Sequence, residues 1–134
     1  MKYEINEASP RHNETIHYIN VISKALGIEM PKLVGKARQR HFVDARTICY
    51  VLLKQKLDLP AIVIGSYFNK DHANVLHHLD SHDILYKTYS DYKHKFDIAE
   101  KQVNIDEYME DNMHSCINNM IMRIELLERK MKTL

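Results

Sequence analysis

The sequence predicts an all-α fold, and three observations carry that prediction. Apolar residues recur at steps of three and four over most of the 134 positions. Only three glycines and three prolines interrupt them, too few for a linker-rich or disordered chain. Those breakers also fall beside helix-capping residues. The length suits one compact domain of modest core, with room for a helical extension.

The elements follow in order. Ser9-Pro10 offers a cap followed by proline at the first helical position, with Asn13 as a second candidate cap. Ile16, Ile19, Ile22 and Leu26 then mark one face, and Gly27 ends the helix. A short helix is expected from Pro31 to Val34, stopped by Gly35. Residues 35–43 read as a basic loop, after which Asp44 caps a helix carrying Ile48, Val51 and Leu52 inward, with Lys54 and Lys56 at its positive end. Pro60, preceded by Asp58 or Leu59, opens the next helix. The β-branched run AIVIG also fits a strand, but a lone strand among helices would have no partner, and helix is preferred. Asn69 to Asp71 makes a sharp turn, and a longer helix runs from Asp71 to about Tyr89. The tyrosine- and lysine-rich YKTYSDYKHKF is either a continuation of that helix or a bent connector.

From Ile105 onward a long helix is expected. Met113, Ile117, Met120, Ile124, Leu127, Met131 and Leu134 alternate steps of four and three, a short heptad seam. The seam has two readings, pairing with a second copy or packing on the chain's own apolar face. The expected organisation is a domain over 9–89 and a helical extension over 90–134.

Composition excludes several classes. Cys49 and Cys116 lie far apart in apolar-periodic segments, which suits buried thiols rather than a disulfide framework. No apolar stretch is long enough to span a bilayer, and Glu4, Glu7 and Glu14 are foreign to a signal peptide, so a cytoplasmic protein is expected. His78 and His82 are one helical turn apart near Asp71, Asp80 and Asp83. They lack an H-E-x-x-H frame and a clear third ligand, so no metal is expected there. No serine or cysteine sits as an obvious nucleophile; no catalytic site and no cofactor are expected.

Charge points elsewhere. Net charge is only +1, yet Lys32, Lys36, Arg38, Arg40, Arg46, Lys54 and Lys56 face Asp44 alone between positions 32 and 56. A concentrated basic patch on a near-neutral protein points to a polyanion. The arrangement sharpens this, because a tight turn launches a helix with Asp71, His72, Ala73 and Asn74 in its first turn. Helix-turn-helix proteins put such residues against base edges and surrounding cations on phosphates. Aspartate accepts from the cytosine amino group, histidine donates to a purine N7, and asparagine pairs with adenine.

GKARQRHFVDARTICYVLLKQK followed by IGSYFNKDHANVLHHL resembles the C-terminal DNA-binding domain of the bacterial replication initiator DnaA. The resemblance covers roughly residues 14–86. It rests on Lys36, Arg38, Arg40, Arg46, Ile64, Gly65, Phe68, Lys70 and the D-H-x-x-V-L-H pattern of Asp71, His72, Val75, Leu76 and His77. It implies a helix-turn-helix bundle, Trp-repressor-like, that binds double-stranded DNA. Asp71, His72, Ala73 and Asn74 would enter the major groove, Arg38 the minor groove, and Arg46 would contact a base. Lys36, Arg40, Lys54 and Lys70 would serve phosphates, with Thr47 placed there too. Phe68, Val75 and Leu76 would hold turn and helix to the core.

Several positions depart from the family pattern. Ala73 and Asn74 replace two hydroxyl residues, Thr47 replaces a glutamine, Ala45 a proline, and Asn69-Lys70 stands where a glycine turn is usual. A different preferred DNA sequence is therefore expected. There is no G-x-x-x-x-G-K-[ST] loop, so no nucleotide is expected as a partner. The sequence reads as a stand-alone module, of the kind a phage or mobile element carries, acting in replication, transcriptional control or DNA organisation. The alternative is a helical oligomerisation module that has lost specific DNA readout.

Overall fold

The computed structural model describes residues 4–132. Six helices follow one another: α1 (Pro10–Leu26), α2 (Met30–Leu33), α3 (Arg40–Leu57), α4 (Ala61–Phe68), α5 (His72–Thr88) and α6 (Ser90–Lys132). No strand occurs among the described residues. The chain divides into two compact units, one ending at Val103 and the other beginning at Asn104.

Local chemistry sets the boundaries. Ser9 caps α1, its Oγ accepting from Arg11 N at 3.2 Å, with Pro10 at the first helical position. Gly27 closes α1 in the left-handed region at φ 68°; its N–H donates to Lys24 O, and Ile28 N donates to Ser23 O. Helix α2 ends at Leu33 with Val34 as its C-cap, and at the following Gly35 a Cβ would lie 2.7 Å from Pro31 O.

Helix α3 starts a full turn earlier than expected, at Arg40 with Gln39 before it, so Asp44 is not its cap. Asp44 lies inside the helix and is buried, its carboxylate 3.9 Å from Arg40 Nε. Burial holds its carboxyl above the usual range, against the pull of Lys95 and Arg40. An unbroken run from Asp44 to Leu53 is buried, which makes α3 the central helix. AIVIG is helical in α4. Ile64 and Phe68, one turn apart, point into the core, and the helix pairs its own backbone without a strand partner.

Between α4 and α5 the chain turns in three residues. Asn69 takes the left-handed conformation at φ 55°, which asparagine tolerates better than most residues, and so serves without the family's glycine. Lys70 N donates to Gly65 O at 2.9 Å. Tyr89 alone, extended at φ −111° and ψ 111°, separates α5 from α6, so the tyrosine-rich stretch is helix on either side of a one-residue break.

The core of the first unit gathers Ile19, Ile22, Leu33, α3, Ile64, Phe68 and Val75, and it also takes Tyr92, Phe96, Ala99 and Val103 from the start of α6. Two apolar expectations change. Leu76 is 47% exposed, because Val75 already occupies the inward direction of α5 and its neighbour projects about 100° away. Cys49 is buried, and burial pushes its thiol up, but Cys116 is exposed. In the second unit Met113, Ile117, Met120, Ile124, Leu127 and Met131 are all exposed; Leu134 lies outside the described residues. No helix among the described residues is long and apolar enough to cross a membrane.

Candidate nucleic-acid interface

The first turn of α5 is built by its cap. Asp71 Oδ1 accepts from Asn74 N at 2.8 Å, satisfying one of the helix's orphan donors. Asp71, His72 and Ala73 are exposed, while Asn74 is half-buried. The turn below them is dictated by Gly65: a Cβ there would stand 2.3 Å from Lys70 O, so only glycine lets α4 approach the turn this closely.

Beside that first turn lies a small pocket of about 150 Å³, lined by Lys36, Arg38, Val43, Arg46, Tyr50, Lys70, Asn74 and His78. Its four cations come from three places in the chain: the loop before α3, α3 itself, and the α4–α5 turn. Arg46 is 5% exposed; its Nε donates to Leu33 O at 2.8 Å and its Nη2 reaches Lys32 O at 3.4 Å. The guanidinium thus satisfies carbonyls left open at the end of α2 and remains a charge on the pocket wall. Tyr50 Oη and Asn74 Oδ1 are buried with no hydrogen-bond partner among the described residues. Burial raises the Tyr50 phenol pKa, opposed by Arg46, so the hydroxyl stays protonated.

His78 closes the pocket from α5. Thr47 Oγ1 donates to Val43 O at 3.0 Å and lies 3.1 Å from His78 Nδ1. A hydroxyl has one proton, so Nδ1 of His78 carries the hydrogen and donates to Thr47. Burial is the main cause that lowers the His78 pKa, and His77, Arg46 and Lys70 lower it further.

The structure therefore brings together Lys36, Arg38, Arg46, Lys70 and Asn74, next to Asp71, His72 and Ala73. It engages the other expected phosphate residues elsewhere. Arg40 stacks on the Tyr89 ring at 4.3 Å, and Lys54 pairs with Asp58 at 3.3 Å. Thr47, expected at a phosphate, is instead internal: it is 1% exposed, and its hydroxyl is committed to Val43 and His78. Tyr50 and His78 were missed as pocket residues. The signal was available, because each sits one helical turn after a residue already singled out, Arg46 and Asn74. The second histidine of the α5 pair, His82, has its own partner, with Nδ1 at 2.8 Å from Tyr92 Oη.

Residues 16–81 match the family model described as the bacterial dnaA protein helix-turn-helix. Among curated relatives, the chromosomal replication initiator protein DnaA of Bacteroides fragilis is 40% identical over 60 residues, 44% of this chain and 13% of that protein. The protein of the same name from Leptospira biflexa is 31% identical over 62 residues, 46% of this chain and 14% of its own length. That of Acholeplasma laidlawii is 32% identical over 76 residues, 56% of this chain and 17% of its own. The chain spans less than a fifth of the length of each, and residues 16–81 of the family match run through α3, α4 and the α4–α5 turn into α5. Residues 16–81, just under half of the chain, are similar to the helix-turn-helix domain of the bacterial DnaA C-terminal family.

Proposed function

We propose that this chain binds double-stranded DNA and selects its sequence through the first turn of α5, in a replication-related role. One observation carries the reading. Cations from three separate segments, Lys36 and Arg38, Arg46, and Lys70, converge beside an exposed, capped helix start within a DnaA-type domain. A phosphate there meets positive charge and the orphan N–H groups of α5, while the residues of that turn face base edges. The proteins matched are named as chromosomal replication initiators, which supports replication over transcriptional control.

In this reading Asp71 accepts from a cytosine amino group, His72 donates to a purine N7, and the Ala73 methyl meets thymine. Asn74 reads a base from the pocket edge. Arg38, exposed on the loop, enters the minor groove, and Arg46 acts through its charge across the pocket. Lys36 and Lys70 hold phosphate, with Arg40 and Lys54 joining once released from Tyr89 and Asp58. Self-association through the helix beyond Asn104 belongs to the same reading, as does an origin in a phage or mobile element.

Selection of bound sequences from random duplex DNA tests the proposal. The expected result is an enriched motif whose binding weakens when Asn74 is changed to Ala, by on the order of tenfold for a lost base contact. No binding to any duplex at low salt would sink it. Binding that weakens equally on every sequence supports the second reading, an oligomerisation module with phosphate contact alone, which the exposed seam favours.

A further inference from the structure

We propose that residues 113–131 pair with the same segment of a second copy as a parallel, in-register, two-stranded coiled coil. This deepens the self-association part of the reading above and stands independently of its DNA part.

The seam is exposed throughout, from Ile117 at 48% to Met131 at 74%. Its heptad places Ile117, Ile124 and Met131 at a, and Met113, Met120 and Leu127 at d. Isoleucine at a with unbranched or γ-branched residues at d selects two strands, whereas isoleucine at both positions selects three or more. The flanking positions then fix direction. In a parallel pair, each g residue meets the e residue five places on in the partner helix. Here Cys116 at g meets Ile121, an apolar pair, and Arg123 at g meets Glu128, an ion pair. An antiparallel pair would set g against g, putting Arg123 opposite Arg123, Cys116 or Lys130. Opposite charge is found where parallel pairing needs it, and like charge where antiparallel pairing would suffer. Met122 and Leu126 fall outside the seam and stay exposed in the pair.

The seam extends about 27 Å at 1.5 Å per residue, short enough that pairing is concentration-dependent. A parallel pair joins two chains at matching residues, so two DNA-binding units are tethered from the same end of the coil. Two tethered units engage paired sites with an effective concentration that either alone lacks.

Sedimentation equilibrium of the full chain is expected to give a monomer–dimer equilibrium. Ile124→Glu, at an exposed position, should raise the dimer Kd on the order of a hundredfold or more by placing carboxylates inside the seam. Arg123→Glu and Glu128→Arg should each raise it on the order of tenfold, and the double exchange should restore it. Residues 123 and 128 do not face each other within one helix, so restoration reports contact between chains. In a Cys116→Ser background, Met113→Cys and Leu127→Cys should each oxidise to a covalent dimer, since only parallel pairing brings both positions opposite themselves. Circular dichroism confirms that each variant remains helical. A strictly monomeric chain, a trimer, cross-linking at only one of the two positions, or an unrestored double exchange overturns the proposal. Duplex binding measured on the same variants reports separately on the DNA reading.

Discussion

Arg46 and His78 show how a single residue serves both fold and surface. Arg46 is nearly inaccessible, yet it fastens α2 to α3 and charges the pocket wall. Its removal strands two carbonyls as well as a charge, so its effect on binding is not separable from stability. Lys36 is the cleaner probe because it is exposed on the loop. Lys36→Ala is expected to weaken binding to all duplexes alike and to reduce the slope of log K against log salt by about one. A salt titration by fluorescence anisotropy checks this.

His78 and His82 give the domain a pH dependence of determinate sign. Burial lowers the pKa of both in the folded chain from an ordinary 6.5. Protonation therefore favours the unfolded chain. Their contribution is complete above pH 6.5 and is lost as pH falls through the lower folded values. Thermal melts from pH 7.5 down to about 5 should show falling stability. His78→Gln, which does not titrate, should flatten that fall while lowering stability at neutral pH through the lost Thr47 contact.

At the scale of elements, the α4–α5 turn sets where the first turn of α5 stands. Gly65→Ala would drive a methyl group against the Lys70 carbonyl, a backbone atom that can retreat only by moving the turn. A cost of about 1–3 kcal/mol is expected in denaturant unfolding. DNA affinity should fall as well, although Gly65 is buried. Asp71→Ala should cost about 1 kcal/mol through the lost cap, independently of any base contact.

These elements also show what was legible in the sequence. Turns announced themselves because their residue types carry backbone preferences: the stop at Gly27 and the turn from Asn69 to Asp71 stand as expected. The start of α3 did not, because Asp44 looks like a cap and only tertiary burial makes it an interior residue. The AIVIG helix required an argument from the absence of a strand partner rather than from propensity. Convergence of Lys36, Arg38, Arg46 and Lys70 was partly legible as a charge cluster. The hydroxyl of Thr47 was misplaced, since no periodicity tells a buried threonine from one at the rim.

For the whole molecule, the two units divide the labour proposed for them. In that proposal the first supplies one base-reading turn and a handful of cations, a small footprint for a specific complex. The second supplies the means to double it. On a duplex carrying two copies of the selected motif, the full chain should bind more tightly than on one copy. Ile124→Glu should remove that advantage while leaving single-copy affinity unchanged, as gel-shift titration of both duplexes would show.

The stack of Arg40 on Tyr89 has a practical consequence. Arg40 opens α3, and Tyr89 is the single extended residue between α5 and α6, so this contact clasps the junction to the central helix. The protein contains no tryptophan. Tyr89→Trp would therefore install one lone indole fluorophore at the clasp, with a ring that holds a guanidinium better than tyrosine does. Its emission would follow the junction alone, and a spectral change on adding duplex would reveal Arg40 leaving the ring for a phosphate.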